Sequence, residues 1–114
     1  MKEEAARRML RLVGLGVRSR GAVVGVEQVR EAAKKGKLAL ALVAADASKH
    51  SVDKVVPLLE ARRVRIVRAA SASDLGHAVG REQTAAVGIV DRQLAKGIRE
   101  LMESGPVGDR KEEG

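Results

Sequence analysis

Gly25 stands directly before a segment carrying Glu27, Gln28, Arg30, Glu31, Lys34 and Lys35, a grouping suited to recognising a polyanion. If that segment is a helix, its first turn offers free backbone N–H groups to a phosphate. Gln28 presents both donor and acceptor to base edges, and the lysines one to two turns on hold the flanking backbone. Glu27, Glu31 and Lys34 share one face by i, i+4, i+7 spacing, which equally describes an ordinary surface helix paired by opposite charges. Charge placement favours the polyanion. Residues 7 to 37 hold nine Arg and Lys against two Glu, an excess of seven that equals the net charge of the whole chain, +7. The basic residues, Arg18, Arg20, Lys34, Lys35 and Lys37 among them, are thus segregated as a phosphate-binding face requires, while the remainder is neutral overall.

Catalysis finds little support. His50 and His77 have no cysteine or histidine near them at metal-ligand spacing, so neither a metal nor a cofactor is expected. Asp46 follows an apolar run, where an α/β enzyme could place a carboxylate, but it has no nucleophile or acid partner in sequence, and turn formation or capping explains it. Gly14, Gly16 and Gly21 lack the Gly-Lys-Ser/Thr of a phosphate-binding loop and the third glycine of a dinucleotide fingerprint. They are read as the end of a helix.

With 114 residues the chain forms one domain, residues 1–103, followed by a polar tail, 104–114, expected to be disordered. The acidic start Met1-Lys2-Glu3-Glu4 and the lack of a long apolar run make export and membrane insertion unexpected, and the absence of cysteine fits a cytoplasmic protein. There is no Phe, Tyr or Trp. The core must therefore come from aliphatic side chains, worth about 25 cal/mol per Å² buried. Base stacking on aromatic platforms is excluded for the same reason, so nucleic acid would be held by charge, shape and base edges.

Several elements are needed to position these residues. Ala5, Met9, Leu12, Val13 and Leu15 recur at helical spacing, Ala22-Val23-Val24 has strand composition, and a second helix is expected from Val26 to about Lys35, with Gly36 just past its end. The apolar run Leu38 to Ala45 reads as a central strand buried on both faces. Ser48 caps a third helix, which Pro57 should kink or break, and Val64-Arg65-Ile66-Val67 is a third strand. Ser71-Ala72-Ser73-Asp74 opens a short helix ending near Gly80. A strand from Ala85 to Val90 and a last helix starting near Asp91 complete the chain. This order predicts a three-layer α/β/α sandwich around a small four-stranded, mostly parallel or mixed sheet.

Certain segments go further. These are Leu12-Val13-Gly14-Leu15-Gly16-Val17-Arg18-Ser19-Arg20 followed by Gly25, the interval from Gly25 to Gly36, Lys37 to Val43, Ala45-Asp46-Ala47-Ser48, Pro57-Leu58-Leu59, and Leu75-Gly76-His77-Ala78-Val79-Gly80-Arg81. Across roughly residues 10 to 100 the chain resembles the L-seven-Ae ribosomal protein superfamily of kink-turn RNA binders, and within it the bacterial YlxQ-type proteins. The resemblance implies a non-catalytic protein that grips structured RNA, ribosomal or otherwise kinked, with two pieces. Carried over by position, one is Gly25, Glu27, Gln28 and Glu31, and the other is the loop Gly80, Arg81, Glu82, Gln83, Thr84 and Ala85.

The chain departs from the strong binders, which show Asn-Glu-x-x-Lys where Glu27-Gln28-Val29-Arg30-Glu31 stands here. A carboxylate thus replaces an ammonium, and Arg30 or Lys34 is the neighbouring cation that could cover the same phosphate. The alternative reading keeps the fold without the base readout, as a protein-interaction module docking on ribosomal proteins or RNA-processing partners with only non-specific RNA binding.

Overall fold

A computed structural model describes residues 2–104. The expected disordered tail lies outside these residues, apart from Ser104, which ends the last helix. The elements follow in the order α1 (Lys2–Arg18), β1 (Ala22–Val24), α2 (Val26–Lys34), β2 (Leu40–Val43), α3 (Lys49–Ala61), β3 (Ile66–Val67), α4 (Ala72–Ala78), β4 (Ala86–Ile89) and α5 (Arg92–Ser104).

The strand order is β1-β4-β2-β3. β4 is antiparallel to both β1 and β2, while β2 and β3 are parallel. β1, β2 and β3 therefore run the same way and β4 is inserted against them, making the sheet mixed. Each helical crossover lays its apolar stripe on the sheet, and the aliphatic core divides accordingly. Leu40, Leu42, Val87 and Ile89 point to one face, against Met9 and Val13 of α1, Leu75 of α4 and Ala95 and Ile98 of α5. Ala41, Val43 and Ala86 point to the other, against Val29 and Ala33 of α2 and Val55 and Leu59 of α3. The period of two in β2 serves both layers, as expected of a strand buried on both faces.

Three local expectations change. Gly14 and Gly16 lie inside α1 and do not end it. A Cβ on Gly14 would come within 2.7 Å of the Ala78 carbonyl oxygen, and one on Gly16 within 2.5 Å of a Leu94 methyl, so these glycines let α4 and α5 approach closely. α3 runs through Pro57 without a break. β2 starts at Leu40, because Leu38 instead lays its side chain over Gly88. The expected end of α2 holds: the Lys37 amide donates to the Ala32 carbonyl and the Gly36 amide to that of Ala33, both at 3.0 Å, the paired bonds that close a helix C-terminus around a glycine.

Candidate nucleic-acid interface

The antiparallel pairing of β1 with β4 joins two segments far apart in sequence. Val24 pairs with Val87, which places Gly25 just past the end of β1 and Ala86 at the start of β4. The Gly25 amide donates to the Ala86 carbonyl at 2.9 Å, and on the other side the Ala44 amide donates to the Ala85 carbonyl at 2.8 Å. The opening of α2 and the loop before β4 therefore form one edge, with the β2–α3 connection beside them.

Gly25 occupies φ +98° and ψ 154°, a conformation that side chains resist, and this sends the chain from β1 directly into α2. Gly80, at φ +82°, turns the chain out of α4 into the loop. Arg81, Glu82 and Gln83 are exposed, while Thr84 is buried. The loop is fastened to α4: the Arg81 amide donates to the Gly76 carbonyl at 2.8 Å and the Thr84 amide to the Ala72 carbonyl at 3.0 Å. Between these bonds the Gln83 backbone packs where a Cβ on Gly76 would sit. Thr84 Oγ1 donates to the Ala86 carbonyl at 3.2 Å, so the one buried polar side chain among the described residues is satisfied.

Three helix N-termini face this edge and differ in one respect. Ser48 caps α3, accepting from the Ser51 amide at 3.2 Å. At α4, Ser71 accepts from the Asp74 amide at 3.0 Å and Asp46 from the Ala72 amide at 2.8 Å, giving Asp46 a capping role. α2 has no side-chain cap, since its N-cap residue is Gly25. Its first N–H groups are left to solvent or to an external anion.

The side chains of α2 divide between its two flanks. Towards α3, Lys54 Nζ lies 3.2 Å from Glu27 Oε2, Arg30 donates to the Lys54 carbonyl, and Arg62 donates to the Lys34 carbonyl at 3.1 Å. Towards the edge strand β1, Gln28, Glu31, Lys35 and Lys37 line an open groove of about 270 Å³ floored by Val23 and Ala32. Glu31 is partnered by Lys35, with Oε2 to Nζ 3.7 Å. Arg30 is thereby committed to α3, and Lys35 is the cation beside Glu31.

The basic cluster of the sequence does not form a single patch. Lys34, Lys35 and Lys37 stand at the C-terminal end of α2, about 13 Å along the helix from Gly25. Arg18 and Arg20 precede β1 and so flank the end of the strand opposite Gly25. The sequence reading missed Arg68, which follows β3 and donates to the Ala44 carbonyl at 3.0 Å beside the loop, and Lys54, which holds Glu27. Only the pairing of distant segments marks either one. Among the described residues no group of three or more His, Cys, Asp or Glu side chains could hold a metal ion, and no helix is long and apolar enough to cross a membrane.

Residues 7–100 match the model of the ribosomal protein L7Ae/L30e/S12e/Gadd45 family. The chain belongs to this family. The family takes its name in large part from ribosomal proteins. Comparison with curated protein sequences finds no match. Among solved structures, a Bacillus halodurans protein of unknown function is 25% identical, with a TM-score of 0.77 over 83% of this chain and 96% of that one. The Giardia lamblia 15.5kD RNA binding protein is 24% identical, with a TM-score of 0.74 over 89% of this chain and 87% of that one. The second likeness is one of fold.

Proposed function

We propose that the chain is a non-catalytic RNA-binding protein that recognises structured RNA, of kink-turn type, in ribosomal RNA or another ribonucleoprotein. Family membership supports RNA as the ligand class, and the similarly folded Giardia protein is an RNA binder. The observation that carries the reading is the joining of the uncapped α2 N-terminus to the loop Gly80–Ala85 by the Gly25–Ala86 hydrogen bond. In this arrangement the amides following Gly25 meet a phosphate at the bend. Gln28, with Glu27 held aside by Lys54, reads the edges of non-canonical purine pairs. The loop supports the distorted bases from the other side, while Lys34, Lys35 and Lys37 provide salt-dependent contacts to the flanking backbone.

The test is a salt titration of binding to a short kink-turn RNA and to the same duplex with its non-canonical pairs replaced by Watson–Crick pairs. A preference for the kinked RNA of about tenfold, or about 1.4 kcal/mol, is expected. Equal and strongly salt-dependent binding to both would overturn specific readout and leave the interaction-module reading, which Glu31 favours by placing a carboxylate at the RNA-facing groove.

A further inference from the structure

A second surface lies on the other face of the sheet from α2. Along α1, Arg7, Arg11 and Arg18 follow at i, i+4 and i+11, which brings all three onto one stripe over about three turns. They border an open groove of about 600 Å³ between α1 and α4, whose apolar lining includes Leu10, Leu15 and Ala78. Leu15 is 48% exposed and is the one exposed large apolar side chain among the described residues.

The arginines are unmatched. Of the two acids on α1, Glu4 pairs with Arg8 at 3.1 Å and Glu3 stands one turn before Arg7 without closing on it, so among the described residues Arg7, Arg11 and Arg18 have no carboxylate within salt-bridge distance. Across the groove α4 contributes His77 and a single acid, Asp74. The surface thus pairs an aliphatic floor with a cationic rim. A nucleic acid would meet the rim, but its sugars and phosphates would leave the leucines without an apolar partner, and beyond the small imidazole of His77 the groove has no Phe, Tyr or Trp to stack a base. A polypeptide with leucine or isoleucine on one side and carboxylates beside them complements both parts.

We propose that the α1–α4 groove docks an acidic amphipathic helix of a second protein, its carboxylates along Arg7, Arg11 and Arg18 and its aliphatic side chains over Leu10, Leu15 and Ala78. Because α2 packs on the opposite face of the sheet, this partner leaves Gly25 and the start of α2 uncovered, and with an RNA held there, as proposed above, the domain acts as an adaptor.

The probe is a synthetic helical peptide with glutamates at i, i+4 and i+11 and leucines on the adjoining stripe, titrated into the methyl-labelled protein and followed by NMR. Saturable shifts at the Leu10, Leu15 and Ala78 methyls are expected, with affinity falling at least tenfold in Arg7→Glu/Arg11→Glu and recovering when the peptide carries lysines in place of its glutamates. Arg7→Gln/Arg11→Gln, a milder change to an exposed helix face, should weaken binding in the same direction with an unchanged melting curve. Unmoved groove methyls at about millimolar peptide would overturn the proposal, as would equal binding of both peptides to the unaltered protein. Shifts produced by an RNA duplex and not by the peptide would overturn it in favour of a wider RNA footprint.

Discussion

Glu31 on α2 and Lys35, the C-cap of that helix, face each other one turn apart, carboxylate oxygen to ammonium nitrogen 3.7 Å, inside the groove that Gln28 opens onto. Both side chains are more than half exposed, so the pair contributes at most a few tenths of a kcal/mol to the helix. Its larger effect is on the field met by an incoming phosphate, because Lys35 offsets the negative charge at this position. Glu31→Lys should therefore raise affinity for kink-turn RNA and steepen the dependence of log K on log salt by up to about one unit, measured by binding across a salt series.

Gln28 is exposed on the same side and makes no hydrogen bond to another described side chain. Gln28→Ala should leave the melting temperature unchanged while lowering the preference for kinked over Watson–Crick RNA by about 1–3 kcal/mol, the usual worth of a base-edge contact. An unchanged preference would remove α2 as the reading element. Lys35→Ala, by contrast, should weaken binding to both RNAs alike.

Two glycines inside helices make opposite predictions. Alanine favours a helix interior over glycine by about 0.8–1.0 kcal/mol. At Gly14 the new methyl would meet the Ala78 carbonyl oxygen at 2.7 Å, and a backbone atom has little room to yield. At Gly97 its nearest neighbour is a Leu12 methyl at 3.5 Å, an ordinary contact. Thermal unfolding should show Gly97→Ala stabilised by up to about 1 kcal/mol and Gly14→Ala destabilised by about 1–3 kcal/mol, the usual range for overpacking.

Asp46 links the β2–α3 connection to the first amide of α4. Asp46→Ala should cost about 1 kcal/mol, as loss of a helix cap does, and Asp46→Asn should retain much of that stability, since an amide oxygen accepts the same bond. Chemical denaturation of the two variants separates capping from a charge effect.

The fold was legible because its main signals are local. Alternation and run length marked β2, Ser48 and Ser71 marked helix starts, and Gly36 marked a helix end. Gly14 and Gly16 misled because a glycine in a helical pattern reads as a stop, whereas the reason for it here is the nearness of Ala78 and Leu94, residues more than sixty positions away. Pro57 does not break α3, since local propensity yields to the packing of Val55 and Leu59 on the sheet. Strand direction was not written in any apolar run, so the insertion of β4 between β1 and β2 emerged only with the structure. The candidate site was legible in its two segments through family resemblance. The hydrogen bond that unites them, the commitment of Arg30 to α3 and the pairing of Glu31 with Lys35 all depend on neighbours brought together by folding.

The loop from Gly80 to Ala85 is held at both ends by α4, with the Gln83 backbone seated against Gly76. Ordering a free loop on binding would cost about 1–2 kcal/mol of backbone entropy for each residue fixed. Here most of that loss is incurred once, when the domain folds, and is not charged again to the complex. The loop is therefore ordered before any ligand arrives, and in the proposed complex the bending falls to the RNA.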